Sequence, residues 1–419
     1  MTIGRIWNRW ITLVVLLSLA GCDSKKELQT GVWRGVFWVD DQEVPINFEI
    51  GRHGSETFFI AQHGAARDTF QLSYIGEDSI HISPQTYEYR LFAQLQPDGS
   101  LRGEFRNLAL GNSARILPFE AFPGEDYRFV EPEKALQPTQ NLSGRWSLSI
   151  ADRSGPAANR VAVLSQDDNN LEGIILAITG DTGELEGNVS GDEFWLSRFS
   201  GIGVTLVRGQ IINENEIKGV IGFGERALHF TGIRNDTAAL ADAYQLTYLK
   251  PGFEKLEMSL PRLDGTMLSL DDPAYKGKVI VLDILGSWCP NCMDQIEFLN
   301  PWYEKNKHRG VEVIGVAFEV KDDLTFANRV LDRVIKRYNI SYPIVFGGKA
   351  ESENVQSKFP ALNTFLAFPT TIIIGRDGSV KSIHTGFSGK GTGKFYEEFV
   401  EKWNRDMDEW LAEPVHNAH

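Results

Sequence analysis

Short runs that alternate hydrophobic and polar residues cover the chain from about residue 31 to residue 245. Examples are VPINFEI, YEYRLFAQLQ and VTLVRGQIIN, and Gly, Asn, Asp and Pro bound these runs. A period of two places alternate side chains on opposite faces of a strand, and these turn residues end strands. The pattern therefore predicts an all-β region with hardly any helix.

This all-β region repeats itself. The segment GVWRGVF at 31–37 corresponds to GRWSLSI at 144–150, and later segments match at nearly the same spacing. Internal repetition of this kind indicates two copies of one structural unit. We therefore expect two β-modules, barrel-like or sandwich-like, over 31–125 and 143–245, joined by the Pro-containing linker 126–142.

Each predicted module opens on a Gly-x-Trp element that contains Trp33 or Trp146. Such an element plugs one end of small β-barrels, and lipocalin-like proteins begin in a similar way. Because a large aromatic side chain is usually buried for its area, we favour core packing over a ligand pocket. Neither module has His, Cys or carboxylate residues at catalytic or metal-binding spacing. We interpret both as spacer, docking or substrate-presenting modules.

From about residue 250 the pattern changes to alternating strands and helices. The β-branched run KVIVLDIL predicts a buried strand at 278–285, and amphipathic periodicity predicts a helix at 290–308. Further segments follow as a strand at 311–318, a helix at 322–338, the strands YPIVF, TTIIIG (370–375) and VKSIHTG (380–386), and a last helix at 394–411. This order predicts an α/β domain over 250–413, with helices on both faces of a mixed sheet.

Charge and composition narrow the classes of partner. The 419 residues are 42% hydrophobic, and the net charge of −14 is spread along the chain. Length and composition fit a soluble globular protein of two or three domains. The acidic balance argues against nucleic acid or an anionic lipid surface as the main partner.

The N-terminal segment has the layout of a secretory signal peptide over residues 1–21. Two arginines precede the apolar run ITLVVLLSLA, and small residues precede Cys22. The sequence LAGC resembles the lipobox of bacterial lipoproteins, and this resemblance implies that Cys22 is acylated. We expect residues 22–30 to be an anchor and linker that hold the protein to a lipid bilayer outside the cytoplasm.

Cys289 and Cys292 in SWCPNC could form a structural bridge, half of a metal site or a redox-active disulfide. A bridge that closes so short a loop adds little stability. A metal site needs two more ligands, and the histidines of the chain do not have the required spacing. We therefore predict a redox-active pair with neither metal nor cofactor.

The predicted position of the pair indicates which cysteine reacts. The thiolate is the attacking species, and Cys289 precedes the first helical turn, where unpaired N–H groups and the helix dipole favour an anion. Pro290 suits the first helical position because its missing N–H would have had no partner there. We predict that Cys289 is the nucleophile and that Cys292, one turn further on, is the resolving cysteine. Asp283 interrupts a buried strand, and this indicates a function that offsets its desolvation.

Three separated features resemble the thioredoxin fold, and in particular membrane-anchored TlpA/ResA-like thiol-disulfide oxidoreductases. These are Trp-Cys-x-x-Cys at a helix start, FPT at 368–370 opening a strand, and a closing hairpin and helix. The resemblance covers about 255–411. It implies a proton-shuttle role for Asp283, a cis-proline at Pro369, substrate contact through the Phe368 backbone and an aromatic shield at Trp288.

Two positions depart from the family pattern. Gln295 stands three residues after the second cysteine, where ResA-like proteins often have glutamate, and Gly315 replaces the lysine of thioredoxin on the neighbouring strand. We therefore do not extend the resemblance to apocytochrome c as substrate.

The sequence as a whole favours an extracytoplasmic protein-disulfide reductase. Its expected partners are disulfide-bearing protein substrates and a membrane thiol donor that reduces the pair again. Oxidase and isomerase activity remain open, because the Pro290-Asn291 dipeptide does not fix the redox potential. The alternative hypothesis is a ligand-binding or partner-binding lipoprotein whose β-modules carry the function and whose α/β domain is a scaffold.

Overall fold

A computed structural model describes residues 28–84, 86–151 and 158–414. The predicted signal peptide and Cys22 lie outside these residues. In chain order the described part consists of two β-barrels and an α/β domain. Among the described residues, none of the helices combines the length and the apolar character needed to cross a lipid bilayer.

Within the described residues, eight antiparallel strands form the first barrel, and pairing of the first with the eighth closes it. The strands are β1 (Gly31–Val39), β2 (Gln42–His53), β3 (Glu56–His63), β4 (Ala66–Ile75), β5 (Ser79–Ser83), β6 (Tyr89–Leu95), β7 (Leu101–Asn107) and β8 (Leu117–Pro123). Their inward side chains alternate with outward ones and fill the barrel interior with apolar residues.

The second barrel has the same architecture, and pairing of β10 with β11 closes it. Its strands are β9 (Gly144–Ala151), β10 (Ala158–Asp167), β11 (Asn170–Ala177), β12 (Gly180–Asp181), β13 (Leu185–Ser190), β14 (Glu193–Phe199), β15 (Val204–Asn213), β16 (Glu216–Ile221) and β17 (Leu228–Arg234). The short strand β12 pairs with β11 outside the ring. The predicted all-β tandem is therefore confirmed, and both units are barrels rather than sandwiches.

Trp33 and Trp146 occupy equivalent places in the two barrels. Both side chains are fully buried. The Trp33 indole N–H donates to the Gln29 carbonyl at 3.0 Å, and that of Trp146 donates to the Leu142 carbonyl at 2.9 Å. In both barrels the acceptor lies four residues before the tryptophan. This shared contact supports the internal repeat and the core-packing interpretation of both tryptophans.

Phe199, at the end of β14 in the second barrel, lies in the core of the first barrel. Its ring centroid is 5.1 Å from Phe37, 5.3 Å from Phe105 and 5.5 Å from Phe70. Its side chain is 1% exposed. The second barrel therefore completes the hydrophobic core of the first, and the two barrels depend on each other for packing.

Arg128, in the predicted linker, connects the barrels through polar contacts. Its guanidinium donates to Asn47 Oδ1 (3.0 Å) and the Gln62 carbonyl (2.6 Å) of the first barrel. It also donates to Glu186 Oε2 (3.0 Å) and the Ser197 carbonyl (3.2 Å) of the second. Burial lowers the pKa of Arg128 to about 10, and the Glu186 charge acts in the opposite direction. The linker is therefore part of the barrel interface.

In the C-terminal domain a five-stranded mixed sheet lies between helices. After the hairpin β18 (Ser259–Pro261) and β19 (Met267–Ser269), the elements are β20 (Val279–Leu285), α1 (Pro290–Asn306), β21 (Val311–Glu319), α2 (Leu324–Tyr338), β22 (Ile344–Lys349), α3 (Ser352–Lys358), β23 (Thr370–Ile374), β24 (Val380–Thr385) and α4 (Lys394–Ala412). The strand order is β22-β21-β20-β23-β24. Strands β20, β21 and β22 are parallel to one another. Strand β23 pairs antiparallel with β20, and β24 pairs antiparallel with β23.

This arrangement confirms the predicted α/β class and mixed sheet. Separate apolar clusters cover the two faces of the sheet, and every residue of the central strand β20 is buried. The helix α3 was not predicted, because its sequence has little amphipathic periodicity. Central strand β20 leads directly into the segment that carries the cysteines, and its burial fixes where α1 begins.

Replacing Phe199 with Ala tests the dependence of the first barrel on the second. We expect the free energy of unfolding of the barrels to fall by about 3–5 kcal/mol, because a fully buried aromatic side chain leaves a cavity. Urea denaturation followed by far-ultraviolet circular dichroism measures the change. Ile212→Ala is the matched control, since Ile212 is 44% exposed and a surface change costs about 0.5 kcal/mol or less. Equal midpoints for the two variants would contradict the shared core.

Candidate active site

The cysteine pair lies where the central strand passes into α1. Cys289 is the residue before the first helical turn, with φ −101° and ψ 113°, and the Cys292 N–H donates to its Sγ at 3.2 Å. The two cysteines form a disulfide with a Cα–Cα separation of 5.2 Å. Cys292 is fully buried, whereas 4% of Cys289 is exposed. Cys289 is therefore the cysteine nearer to solvent.

The start of α1 provides the electrostatics for a thiolate. Its first N–H groups have no intrahelical acceptor and carry the positive end of the helix dipole. Pro290 occupies the first helical position, as predicted. One of these donors, the Cys292 N–H, already points at the Cys289 sulfur. A negative charge on Cys289 would therefore be stabilised without any rearrangement of the backbone.

Phe368 contacts the same sulfur, and Pro369 and Trp288 are the neighbours of Phe368 in sequence and in packing. The Phe368–Pro369 peptide bond is cis, in agreement with the sequence-based expectation. Cys289 Sγ lies 3.7 Å from the Phe368 carbonyl oxygen. The Trp288 ring packs edge-to-face on Phe368 at 5.2 Å, and its indole N–H donates to the Phe318 carbonyl at 3.0 Å. The aromatic residues thus flank the pair on the side of the cis-proline.

Asp283 is fully buried in the middle of β20. Gln295 Nε2 donates to its Oδ1 at 2.6 Å and to Thr371 Oγ1 at 2.8 Å. Among the described residues, Asp283 Oδ2 has no hydrogen-bond partner. Burial raises the pKa of Asp283 from its usual 3.8 to about 7. This carboxyl group can therefore gain or lose a proton near neutral pH.

Gln295 has a role that the sequence reasoning missed. The sequence shows only that Gln replaces the glutamate of related proteins, whereas the structure shows a buried amide that connects Asp283 with Thr371 on β23. A carboxylate at this position would face Asp283 at hydrogen-bond distance, and two like charges there would repel each other. The neutral amide avoids that repulsion and donates a hydrogen bond instead.

Glu319 is a second buried acid at the site that sequence reasoning missed. It ends β21 and accepts hydrogen bonds from the Ser287 N–H (2.9 Å) and the Ser287 hydroxyl (2.7 Å). Burial raises the pKa of Glu319 to about 7, although the two Ser287 donors oppose this shift. These contacts hold the segment just before Trp288. The signal in the sequence was an acid directly after the apolar run VEVIGVAF.

Both barrels contact the active-site region. Tyr87 and Ala109 of the first barrel pack with Trp288 against the α/β core. The Glu88 carboxylate forms ion pairs with the guanidinium groups of Arg333 (2.6 Å) and Arg329 (3.4 Å) on α2. The second barrel reaches the dipeptide between the cysteines through Asp181. The pair therefore lies where all three parts of the chain meet.

The predicted site residues of the α/β domain fall in one place. The cysteines, Trp288, Pro290, Phe368 and Pro369 lie around the start of α1, and Asp283 connects to that helix through Gln295. Cys22 lies outside the described residues. Among the residues that the structure describes, no group of His, Cys, Asp and Glu could hold a metal ion.

Comparison with known proteins places this domain in a redox class. The Redoxin family matches residues 248–397. ResA, a thiol-disulfide oxidoreductase of Bacillus thuringiensis subsp. konkukian, is 27% identical over 140 residues, which are 33% of this chain and 70% of the relative. ResA of Halalkalibacterium halodurans is 29% identical over 157 residues, 36% of this chain and 76% of the relative.

One of the similar solved structures is that of a putative thiol:disulfide interchange protein DsbE from Chlorobium tepidum. It shares 21% sequence identity with this chain and has a TM-score of 0.28. The match covers 37% of this chain and 98% of the solved chain.

The C-terminal domain is therefore a thioredoxin-like domain of the Redoxin type. More particularly, its sequence is similar to those of ResA thiol-disulfide oxidoreductases, and its cysteine pair lies at disulfide distance. The Redoxin match begins at residue 248, after the two barrels.

Replacing Asp283 with Asn tests the buried acid. Between about pH 4 and pH 7 the folded protein holds a proton on Asp283, whereas the unfolded chain has already released it. This group therefore makes the free energy of unfolding fall as pH rises through that window. We expect the difference in unfolding free energy between pH 5 and pH 8 to be about 2–3 kcal/mol smaller in Asp283→Asn than in the unmodified protein.

Urea denaturation of the oxidised protein at the two pH values measures this difference. Asp167→Asn is the control, because Asp167 is exposed. Glu319 also titrates in this window, so the pH dependence of Asp283→Asn should shrink rather than vanish. Equal pH dependence in both variants would show that Asp283 is ionised in the folded protein at pH 5.

Proposed function

We propose that this protein is an extracytoplasmic protein-disulfide reductase, with Cys289 as nucleophile, Cys292 as resolving cysteine and Asp283 as proton shuttle. The observation that carries the proposal is the position of Cys289 at the start of α1, with the Cys292 N–H directed at its sulfur. Thiolates at helix N-termini have depressed pKa values and attack disulfides. The ResA relatives support the same chemistry.

In the proposed reaction the dithiol form is the reductant. The Cys289 thiolate attacks one sulfur of a substrate disulfide, so that a Cys289–substrate disulfide forms and the first substrate sulfur leaves as a thiolate. Cys292 then loses its proton to the Asp283 carboxylate and attacks Cys289 Sγ. The Cys289–Cys292 disulfide forms and the second substrate thiolate leaves. Two electrons pass from the pair to the substrate, and a membrane thiol donor returns them.

Asp283 suits the proton transfer because its pKa lies near neutral pH, where a group can accept and release a proton with little cost. Gln295 holds one carboxyl oxygen, and the other has no partner among the described residues. Oδ2 is therefore the oxygen available to carry the proton. Thr371 orients the Gln295 amide from the neighbouring strand.

The surroundings of Cys289 suit an extended polypeptide substrate. The Phe368 carbonyl lies 3.7 Å from the sulfur, and Pro369, which follows it through a cis bond, has no backbone N–H because it is a proline. We propose that Phe368 pairs with substrate backbone and that Trp288 shields the sulfur from solvent. Bulk water would otherwise compete for the reactive thiolate.

Location outside the cytoplasm is proposed from the N-terminal sequence. The charged start, the apolar run and the LAGC segment support export and acylation of Cys22. An acyl anchor at Cys22 would tether the three folded parts to a bilayer surface, where a membrane thiol donor could reach the pair. The negative net charge of the chain, −14, is consistent with protein partners rather than nucleic acid.

The alternative, a ligand-binding lipoprotein with a scaffold α/β domain, has less support. Aromatic side chains, including Phe199 from the second barrel, fill the interior of the first barrel. Trp146 and a cluster of aliphatic residues fill the second. A scaffold would also have no use for a buried Asp283 beside a cysteine-bearing helix.

Cys292→Ser tests the proposed mechanism. Without the resolving thiol, Cys289 should remain joined to its substrate, so purified Cys292→Ser should carry mixed disulfides that dithiothreitol releases. The matched control is Cys289→Ser, which should trap none. Non-reducing electrophoresis and mass spectrometry of tryptic peptides measure the adducts.

In the same experiment the unmodified protein, reduced beforehand, should reduce insulin disulfides. We expect both single Ser variants to lose about 99% or more of this activity, since the complete reaction needs Cys289 for the first step and Cys292 for the second. Absence of adducts on Cys292→Ser together with absence of insulin reduction by the unmodified protein would contradict the proposed function.

A further inference from the structure

The second barrel contacts the dipeptide between the two cysteines. Asp181, the last residue of β12, accepts hydrogen bonds at Oδ2 from the Gly389 N–H (3.0 Å) and from Asn291 Nδ2 (3.4 Å). Its Oδ1 accepts from the Gly183 N–H at 2.6 Å. The Asn291 amide also donates to the Phe387 carbonyl at 3.1 Å. One barrel carboxylate thus joins the active-site dipeptide to the loop before α4.

The backbones on both sides of this contact approach closely. A Cβ atom at Gly180 would lie 2.6 Å from Asn291 Nδ2, and one at Gly386 would lie 2.5 Å from the Ile178 carbonyl oxygen. Both glycines have positive φ, at +138° and +79°. Side chains at these positions would push the barrel away from the cysteine loop. The contact is therefore built into the backbone of both domains.

The pKa of Asp181 lies above its usual value, because burial outweighs the favourable contacts of its carboxylate. Burial raises the pKa of Asp181, but the Gly389 and Gly183 N–H groups and the Arg198 guanidinium lower it. Asp294, on the first turns of α1, has its pKa raised to about 7 by desolvation and then by the charges of Asp181 and Glu297. The Asp181 carboxylate thus lies close enough to α1 to act on groups in the first turns of that helix.

We infer that Asp181 is a positioning residue of the second barrel, and this inference rests on the proposed redox function. Asp181 fixes Asn291 and holds a negative charge beside the start of α1. This charge makes the Cys289–Cys292 pair a stronger reductant.

The direction follows from electrostatics. A negative charge near the first turn of α1 repels the Cys289 thiolate and offsets part of the helix dipole. A less stable thiolate makes the reduced form less stable, and the reduction potential becomes more negative. The second barrel would then be more than a spacer, because the chemistry of the pair would depend on its docking against Asn291.

Asp181→Asn tests this inference with little change in shape. The variant keeps an acceptor for Gly389 but loses the charge. We expect the pKa of Cys289 to fall by about 0.5–1 unit, measured by the pH dependence of alkylation with iodoacetamide. We expect the equilibrium constant with glutathione to shift about three- to tenfold toward the dithiol, which corresponds to about 15–30 mV.

Two further variants separate charge from position. Asp167→Asn removes an exposed charge from the same barrel and should leave the alkylation profile and the glutathione equilibrium unchanged. In an Asn291→Ala background the Gly183 and Gly389 N–H groups still hold the carboxylate, so Asp181→Asn should keep more than half of its effect. Circular dichroism and urea denaturation confirm that each variant is folded.

The outcomes distinguish this inference from the proposed function. If the unmodified protein exchanges disulfides but Asp181→Asn stays within about twofold of it in both measurements, the role of Asp181 is wrong and the reductase proposal stands. A shift of the equilibrium toward the disulfide, or loss of the effect of Asp181→Asn in the Asn291→Ala background, would also overturn the inference. Failure of the unmodified protein to exchange any disulfide would instead remove the reductase proposal.

Discussion

Helix α1 begins directly after the proposed nucleophile, Cys289. The first N–H groups of the helix, which lack intrahelical acceptors, therefore lie beside the Cys289 sulfur. The buried central strand β20 imposes this start, because the chain leaves the sheet at Leu285 and returns over its face as a helix. The neighbouring residues adjust to the same geometry. Glu319 holds Ser287, Phe318 anchors the Trp288 indole, and the second barrel fixes Asn291.

Carboxyl groups accumulate around this positive helix end. Asp283, Glu319 and Asp294 all have pKa values raised to about 7, in each case mainly by desolvation. Each carboxyl that remains protonated adds no negative charge against the thiolate, whereas each one that ionises opposes it. Ionisation of these acids therefore opposes the stabilisation that the helix dipole gives to a thiolate. Asp181 is the acid whose carboxylate contacts the dipeptide between the cysteines.

The features that could be predicted from sequence are local ones. A buried β-branched strand followed by Cys-x-x-Cys and an amphipathic helix defines the position of the pair within a few residues, and the period-two runs define the barrels. Phe199, Arg128 and Asp181 could not be predicted in this way. Asp181 is 110 residues from Asn291 in the chain, and its flanking sequence looks like an ordinary turn. Such contacts arise only when separate folding units dock.

Docking also holds the two barrels together. The first barrel receives Phe199 from the second in its core, and Arg128 satisfies carbonyl and carboxylate acceptors from both barrels at once. A pair of barrels joined by a shared core and a buried cation resists relative movement more than two units on a flexible linker would. Rigidity of this kind is what a carboxylate needs if it is to act on a reaction at another domain. The effect of an Asp181 on a mobile hairpin would be screened by solvent, whereas three N–H donors hold this carboxylate in a fixed position beside α1.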